Sequence, residues 1–453
     1  MINLLIAVLA AAALLGGSGA MAQQAGRGGA ASAAEVAALR QQLEALQARI
    51  AELEARQQAQ AAEVAAAREA VEAQNQINTD VQNALDLTSD NIAKTAANVG
   101  EWVGRFQWKG DLRYRNESFD IEYVPRDRWR DRIRARAGFV ARVNDTLRTE
   151  IQFATGGADP RSSNQTLTDQ NSRKALDLDL AYAEWQATPS VKLTLGKMKF
   201  PWVRPGQSLF FDTDVNPEGI AVNYQGVVPG GFFASAFYTH LAERSAAADS
   251  NMIGAQIGWR SVPTAPTRWT IGASYFDHGA VEGYNPLFGG SANGNTTTTS
   301  GGICRRGISP CLRYDFNVAE LFAEVATTLG NYPFTAYLDY ARNDAADLDT
   351  AYGIGFQYGR ASNPRTWEFG ALYQKVEKDA LFAQTIDSDF ADGNTDADGL
   401  VLRFGYAFAR NFRFNATYFI NQTNIDVPVN ITGVGPVSDR DYRRLQLDFN
   451  MSF

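Results

Sequence analysis

Residues 131–153 read DRIRARAGFVARVNDTLRTEIQF, and this stretch decides what kind of fold the chain can adopt. Ile133, Ala135, Ala137, Phe139, Ala141 and Val143 take alternate positions, with Arg132, Arg134, Arg136 and Arg142 on the opposite alternation. In an extended strand the two sets project from opposite faces. Asn144-Asp145 tolerates the backbone angles of a tight turn. Beyond it Leu147, Thr149, Ile151 and Phe153 alternate with Arg148, Glu150 and Gln152. One face of this hairpin wants hydrocarbon; the other carries cations that need water or anions. Taken alone, the hairpin fits a soluble sheet with one solvated face as well as it fits a membrane barrel. Recurrence along the chain separates the two.

From Gly104 onward about sixteen such segments follow one another. The first sets Phe106, Trp108, Leu112 and Tyr114 against Lys109, Asp111, Arg113 and Arg115. The last sets Leu445, Leu447, Phe449, Met451 and Phe453 against Arg444, Gln446, Asp448, Asn450 and Ser452. Their connections alternate in length. Asn144-Asp145, Thr188–Ser190, Val227–Gly230, Gly330-Asn331 and Ala409–Asn411 are short, whereas Gly156–Lys174, Phe200–Glu218, Gly279–Arg313, Glu377–Gly399 and Ile425–Asp441 are long and polar. An even strand number, with short turns at one rim and long loops at the other, is the layout of an outer-membrane barrel. A soluble β-sandwich does not sort its loops by length. The fold expected over residues 104–453 is therefore all-β, a transmembrane antiparallel β-barrel of about 16 strands. A mean hydropathy of −0.27 suits a barrel with a polar lumen.

The ends of the chain point the same way. Ile2–Leu15 is nearly all apolar and leads through Gly16, Gly17, Ser18 and Gly19 to the small-x-small site Ala20-Met21-Ala22. That run is shorter than the ~20 apolar residues a permanent transmembrane helix needs. Residues 1–22 read as a secretory signal peptide cleaved after Ala22, although no Lys or Arg precedes the apolar run. No later segment is long and apolar enough to cross as a helix, so an exported protein held in a membrane must cross as a closed barrel. Residues 23–34 read as a flexible spacer. Over residues 35–77 apolar residues recur at heptad positions: Val36, Leu39, Leu43, Leu46, Ile50, Leu53, then Val64, Ala67 and Val71, with Gln57 and Gln60 in the middle. This narrow seam favours a parallel coiled coil over a single helix packed on a globular domain. Residues 78–103 read as a linker with short helical character. At the other end, an amphipathic strand carrying Phe449 and Met451 and stopping on Phe453 reads as the signal taken up by the outer-membrane assembly machinery.

Leu195-Gly196-Lys197-Met198-Lys199-Phe200-Pro201, followed by Asn216-Pro217-Glu218-Gly219, carries a family resemblance. Residues from about 100 to 453 resemble the bacterial putative-porin family, and the layout is similar to that of the phosphate- and polyphosphate-selective outer-membrane porins. The resemblance implies a barrel that assembles as a homotrimer in the outer membrane, among lipid and lipopolysaccharide, with its coiled coil in the periplasm. It implies passive diffusion of small hydrophilic solutes or ions. A reading of a different class is an envelope-tethering or adhesive barrel with a closed lumen. A barrel enzyme such as a phospholipase ranks third, because no Ser/His pairing is evident. Nothing points to a cofactor or a nucleic-acid partner.

Candidate functional residues lie in the lumen. The chain has 42 Lys and Arg against 50 Asp and Glu, a net charge of −8. Residues 101–200 carry 18 cations and 14 acids, and residues 201–453 carry 18 and 26. Strand parity turns Lys109, Arg113, Arg115, Arg132, Arg134, Arg136, Arg142 and Arg148 inward. Charge within a narrow low-dielectric wall focuses potential and biases which ion enters. The competing reading is that Asp111, Glu150, Asp177 and Asp179 neutralise these cations. Phe200–Glu218 is the third loop on the long-loop rim, and the likeness to general porins implies that it folds inward as a constriction. It carries Arg204, Asp212, Asp214 and Glu218, with Trp202, Phe210 and Phe211 as anchors, and its carboxylates are expected to face the arginines. Cys304 and Cys311 read as a disulfide pinning the longest loop, with a metal pair as the alternative. Asp387, Asp389, Asp392, Asp396 and Asp398 read as solvated loop charge rather than a calcium site, and His240 and His278 as surface residues. No metal site is expected.

Overall fold

The computed structural model describes residues 33–98, 103–157, 159–167, 170–288 and 290–453. The signal segment and nearly all of the spacer lie outside the described residues. Two units divide the chain, residues 1–98 and 99–453.

In the first unit a single helix, α1, runs from Ala33 to Asn98. Sixty-six residues at 1.5 Å rise span about 100 Å. The linker expected from residue 78 is therefore corrected: the helix continues to Asn98. No Gly or Pro interrupts it. Gln74 donates to Asn78, Gln76 to Asp80 and Gln82 to Asp86, each one turn on, at 3.0–3.1 Å. A loosened apolar seam had suggested an end, but the seam governs what a helix packs against. Backbone continuity depends on the absence of breakers. Leu43, Leu46, Ile50, Leu53, Val64 and Val71 are all more than half exposed.

The second unit is a closed barrel of sixteen strands: β1 (Phe106–Ile121), β2 (Arg128–Arg142), β3 (Leu147–Thr155), β4 (Leu176–Thr188), β5 (Val191–Lys197), β6 (Glu218–Gln225), β7 (Gly231–Ala242), β8 (Ser250–Arg260), β9 (Arg268–Gly279), β10 (Phe316–Leu329), β11 (Tyr332–Asn343), β12 (Thr350–Gly359), β13 (Trp367–Val376), β14 (Ala397–Ala409), β15 (Phe412–Thr423) and β16 (Arg440–Ser452). Each strand pairs antiparallel with the next. β16 returns to β1 from Asp111↔Ser452 to Ile121↔Tyr442, so no edge remains. Beyond the last strand, Phe453 and Gly110 exchange backbone hydrogen bonds at 2.9 and 3.0 Å. The Phe453 ring lies on Gly110, where a Cβ would come within 2.4 Å of it. Only glycine admits that seal.

Apolar side chains such as Trp108, Leu112, Trp129, Leu195, Ile257, Leu321 and Ile354 face outward, exposed as a lipid-facing belt requires. A bulge between β3 and β4 pairs Gln152 with Leu180 and Phe153 with Leu178. Asp179 is the extra residue, left free to turn toward the lumen. Five long loops share one rim: L2 (residues 156–175), L3 (198–217), L5 (280–315), L7 (377–396) and L8 (424–439). In L5, Cys304 and Cys311 form a disulfide with Cα atoms 5.5 Å apart.

Candidate functional site in the lumen

L3 crosses the lumen. Its Val203 N–H donates to Gln256 on β8, its Gly206 N–H to Glu324 on β10 at 2.7 Å, and Gln207 to Gln357 on β12. Ser208 donates to Asp339 on β11 at 2.5 Å. Gly206 has φ +47°, and a Cβ there would come within 2.2 Å of the Tyr337 ring, so the loop lies flat on the far wall only through glycine. Rings hold it down. Trp202 stacks on Phe237 at 4.6 Å and meets Phe211 and Phe276 at 5.1 and 5.2 Å. Trp202, Phe210 and Phe211 are all nearly inaccessible. At about 1.5–3 kcal/mol per buried large side chain, these anchors outweigh any single polar contact in the loop.

The wall formed by β1, β2 and β16 is organised by charge. Arg134 donates to Asp111 at 2.7 Å, Lys109 pairs with Glu150, and Arg115 holds Asp448 through Nε and Nη2 at 2.7 and 2.8 Å. Glu117, fully buried, accepts from Arg130 and from Arg444 at 2.6 Å. Across the lumen Asp214 of L3 meets this wall. Its carboxylate accepts from Arg136 at 2.7 Å and from the Ser163 N–H and hydroxyl at 3.0 and 2.8 Å. Burial alone would raise the Asp214 pKa, but Arg136 and Arg134 hold it well below the usual carboxylate range.

L7 is a second inward loop. Residues 379–383, with Gln384, Thr385 and Ile386, are almost wholly buried, and Phe390 enters a cluster with Leu209, Leu372, Val401 and Phe419. It is tied to L2 by Arg161, which donates to the carbonyls of Ala383 and Gly393. Asn295 of L5 donates to the carbonyls of Lys378 and Leu381. L3 contributes the Asp212 N–H, 2.9 Å from the Thr385 carbonyl. Ser388 in turn donates its N–H to the Asp212 carboxylate at 2.8 Å. Burial together with Asp387 and Asp214 pushes the Asp212 carboxyl well up. Asp387, buried beside Asp389, is pushed up to about 6. On the short-turn side two cavities remain. One of ≈1240 Å³ is lined by Thr146, Arg148, Glu184, Lys192, Phe200 and Gln256 among others. The other, of ≈380 Å³, is lined by Asp111, Arg113, Gln357, Arg403 and Asn450 among others.

Several sequence-based placements need correction. Asp212 faces L7 rather than the arginines. Arg204 braces its own loop, donating to the Phe211 carbonyl at 2.7 Å and lying over the Phe200 ring. Glu218 opens β6 in register with Ile220 and Val222, which turns it outward to Lys197, 2.7 Å away. Arg142 and Arg148, by contrast, do line the cavity beside the short turns, where Arg148 is paired with Glu184. Asp387, Asp389 and Asp396 are drawn inward with L7 rather than left in solvent. His278 is buried between Phe316 and Phe382, while His240 is exposed. Glu117, Arg130, Arg444 and Asp448 join the inward set as their strand parity dictates, although they lie outside the densest run of arginines in the sequence. Lys199 is the more telling omission. It is exposed toward Arg136, Asp179, Asp214 and Lys109, and no carboxylate pairs with it among the described residues. The barrel wall crowded around this lumenal amine displaces part of its water and, with Arg136 beside it, lowers its pKa.

A closed sixteen-stranded barrel with a belt of outward apolar residues and a charged lumen defines an outer-membrane porin. The chain matches the family described as Putative porin over residues 121–302 and 314–436, and it belongs to that family. Its place is the bacterial outer membrane. The high-pH structure of OprB from Pseudomonas putida aligns with a TM-score of 0.50 at 13% identity, over 78% of this chain and 96% of that one. In-vitro folded OmpT from Vibrio cholerae, in its trimer form, gives 0.43 at 14%, over 77% and 99%. OmpF from Salmonella typhi, in complex with daunomycin, gives 0.44 at 10%, over 76% and 97%. No curated protein is a significant match.

Proposed function

We propose that this porin passes small hydrophilic solutes or ions by passive diffusion, along the charged wall of β1, β2 and β16. The observation that carries this reading is Asp214 of L3 set against Arg136 and Arg134. Fixed charges along the wall of a narrow passage orient dipolar solutes and make apolar ones displace ordered water. Most of the inward cations expected to set selectivity are neutralised by pairing, so net selectivity rests on those left over, above all Lys199. Single-channel recording in planar bilayers tests the reading: steady ohmic steps support it, and silence from correctly folded protein refutes it.

Trimerisation through α1 belongs to the same proposal. An isolated helix with an exposed leucine seam gains little from its own backbone and needs a partner. The heptad register that starts at Val36 runs on through Asn78, Val81 and Leu85, the last two more than half exposed. In this arrangement residues 1–22 direct export, the helix lies in the periplasm, and the terminal Phe453 serves assembly. A second reading, a tethering barrel with a closed lumen, is favoured by the deep burial of L7. The same recordings separate them.

A further inference from the structure

We infer that Arg115, Arg130, Arg132 and Arg444 form a lumenal site for a small oxyanion, and that Asp389 of L7 is its removable occupant. The inference rests on the porin reading and names a ligand class for it. Three strands bring these guanidiniums together: Arg115 from β1, Arg130 and Arg132 from β2, Arg444 from β16. Two of their counter-charges, Glu117 and Asp448, are fixed on the wall. The third arrives on a loop. Asp389 places one carboxylate oxygen 2.8 Å from Nη2 of Arg444 and accepts at the other from Nη1 of Arg115 at 3.0 Å. A carboxylate spanning two guanidiniums in this way occupies the position a solute carboxylate or sulfate would take.

Two further features mark the position as a ligand site rather than a structural ion pair alone. Among the described residues the buried Nε–H groups of Arg132 and Arg444 find no acceptor. Unmet donors on buried cations are costly; the Asp389 carboxylate leaves these two unmet, and an oxyanion with more oxygens brings additional acceptors. The Asp389 side chain is also the most exposed of the group, at 24% against 6% for Arg115 and 1% for Arg444. It stands on the water side of the site. A turn about its own side-chain bonds frees the arginines while Phe390 keeps its place in the apolar cluster. The incoming oxyanion then replaces the lost bonds one for one.

The test compares the full-length wild type with Asp389→Asn and with the double variant Asp389→Asn/Arg132→Gln, using potassium sulfate against potassium chloride. Single-channel conductance in sulfate should saturate at a concentration about 10-fold or more lower in Asp389→Asn than in the wild type. The double variant should lose most of that gain. A parallel readout is the thermal unfolding midpoint in detergent, where sulfate at constant ionic strength should raise Asp389→Asn more than the wild type. Equal saturation and equal thermal response in Asp389→Asn and wild type overturn the site. If no variant conducts at all, the porin reading fails, while the thermal response still decides whether the oxyanion binds.

Discussion

The two sides of the lumen are built on different physics. On β7–β13 rings pack over glycines on the inner wall, between the polar groups that hold L3: Phe237 lies over Gly254, Phe233 over Gly258 and Tyr337 over Gly355, each so close that a Cβ would clash. On β1, β2 and β16 the inner wall is a lattice of arginines and carboxylates. L3 and L7 bridge the two, laying rings on the first and single carboxylates, Asp214 and Asp389, on the second. Apolar packing excludes water, whereas a charge lattice keeps its stability only with partners or solvent in reach. The difference teaches where a hydrophilic path can run: beside the lattice, with the loops anchored away from it.

Removing one member of the lattice should have the largest effect. Arg444→Gln strips Glu117 of a buried partner and should cost about 3–5 kcal/mol in urea unfolding. Adding Glu117→Gln should recover part of that loss, and a fully additive double variant would show the two groups do not act as a pair. On the other side, Trp202→Ala should destabilise by roughly 3–5 kcal/mol and loosen L3, giving larger and noisier conductance steps. Unchanged steps would mean that L3 does not set the passage.

Smaller effects probe the boundary between the two walls. Lys199→Gln should move the reversal potential in a salt gradient toward cation preference, by about 2-fold in permeability ratio, and Asp214→Asn should move it the opposite way. Arg134→Ala, which removes one half of a pair, should shift it less than Lys199→Gln does. The smallest effect concerns pH. Asp212 and Asp387 titrate upward of ordinary carboxylates, so the folded contact between L3 and L7 binds protons more tightly than the unfolded chain. Its stabilisation is full below the usual carboxylate pKa and is lost as pH rises through about 6, the Asp387 value. Amide exchange in L7, corrected for intrinsic rates, should therefore show weaker protection at pH 7.5 than at pH 5. Equal protection would count against the titrating contact.

The barrel was legible because its signal is periodic and repeated: sixteen segments, sorted turns and a terminal Phe453 all follow from period two. The length of α1 was legible only in part. Val81 and Leu85 keep the register, but Gln74 and Asn78 interrupt the seam and look like an ending. Inward loops carry no such period. That L7 enters the lumen depends on Phe390 finding Leu372 and Phe419, contacts between residues far apart in sequence. Glu218 was misplaced for a local reason: one residue of strand register decides which face it takes.

The claim that water follows the charged wall is tested most directly by thiol accessibility during single-channel recording. Lys199→Cys and Ala351→Cys are compared, the latter at a position with no exposed surface on β12. A charged methanethiosulfonate reagent should react with Lys199→Cys and lower its conductance in discrete steps, leaving Ala351→Cys unmodified. Reaction and block at Ala351→Cys, with Lys199→Cys silent, would contradict the account.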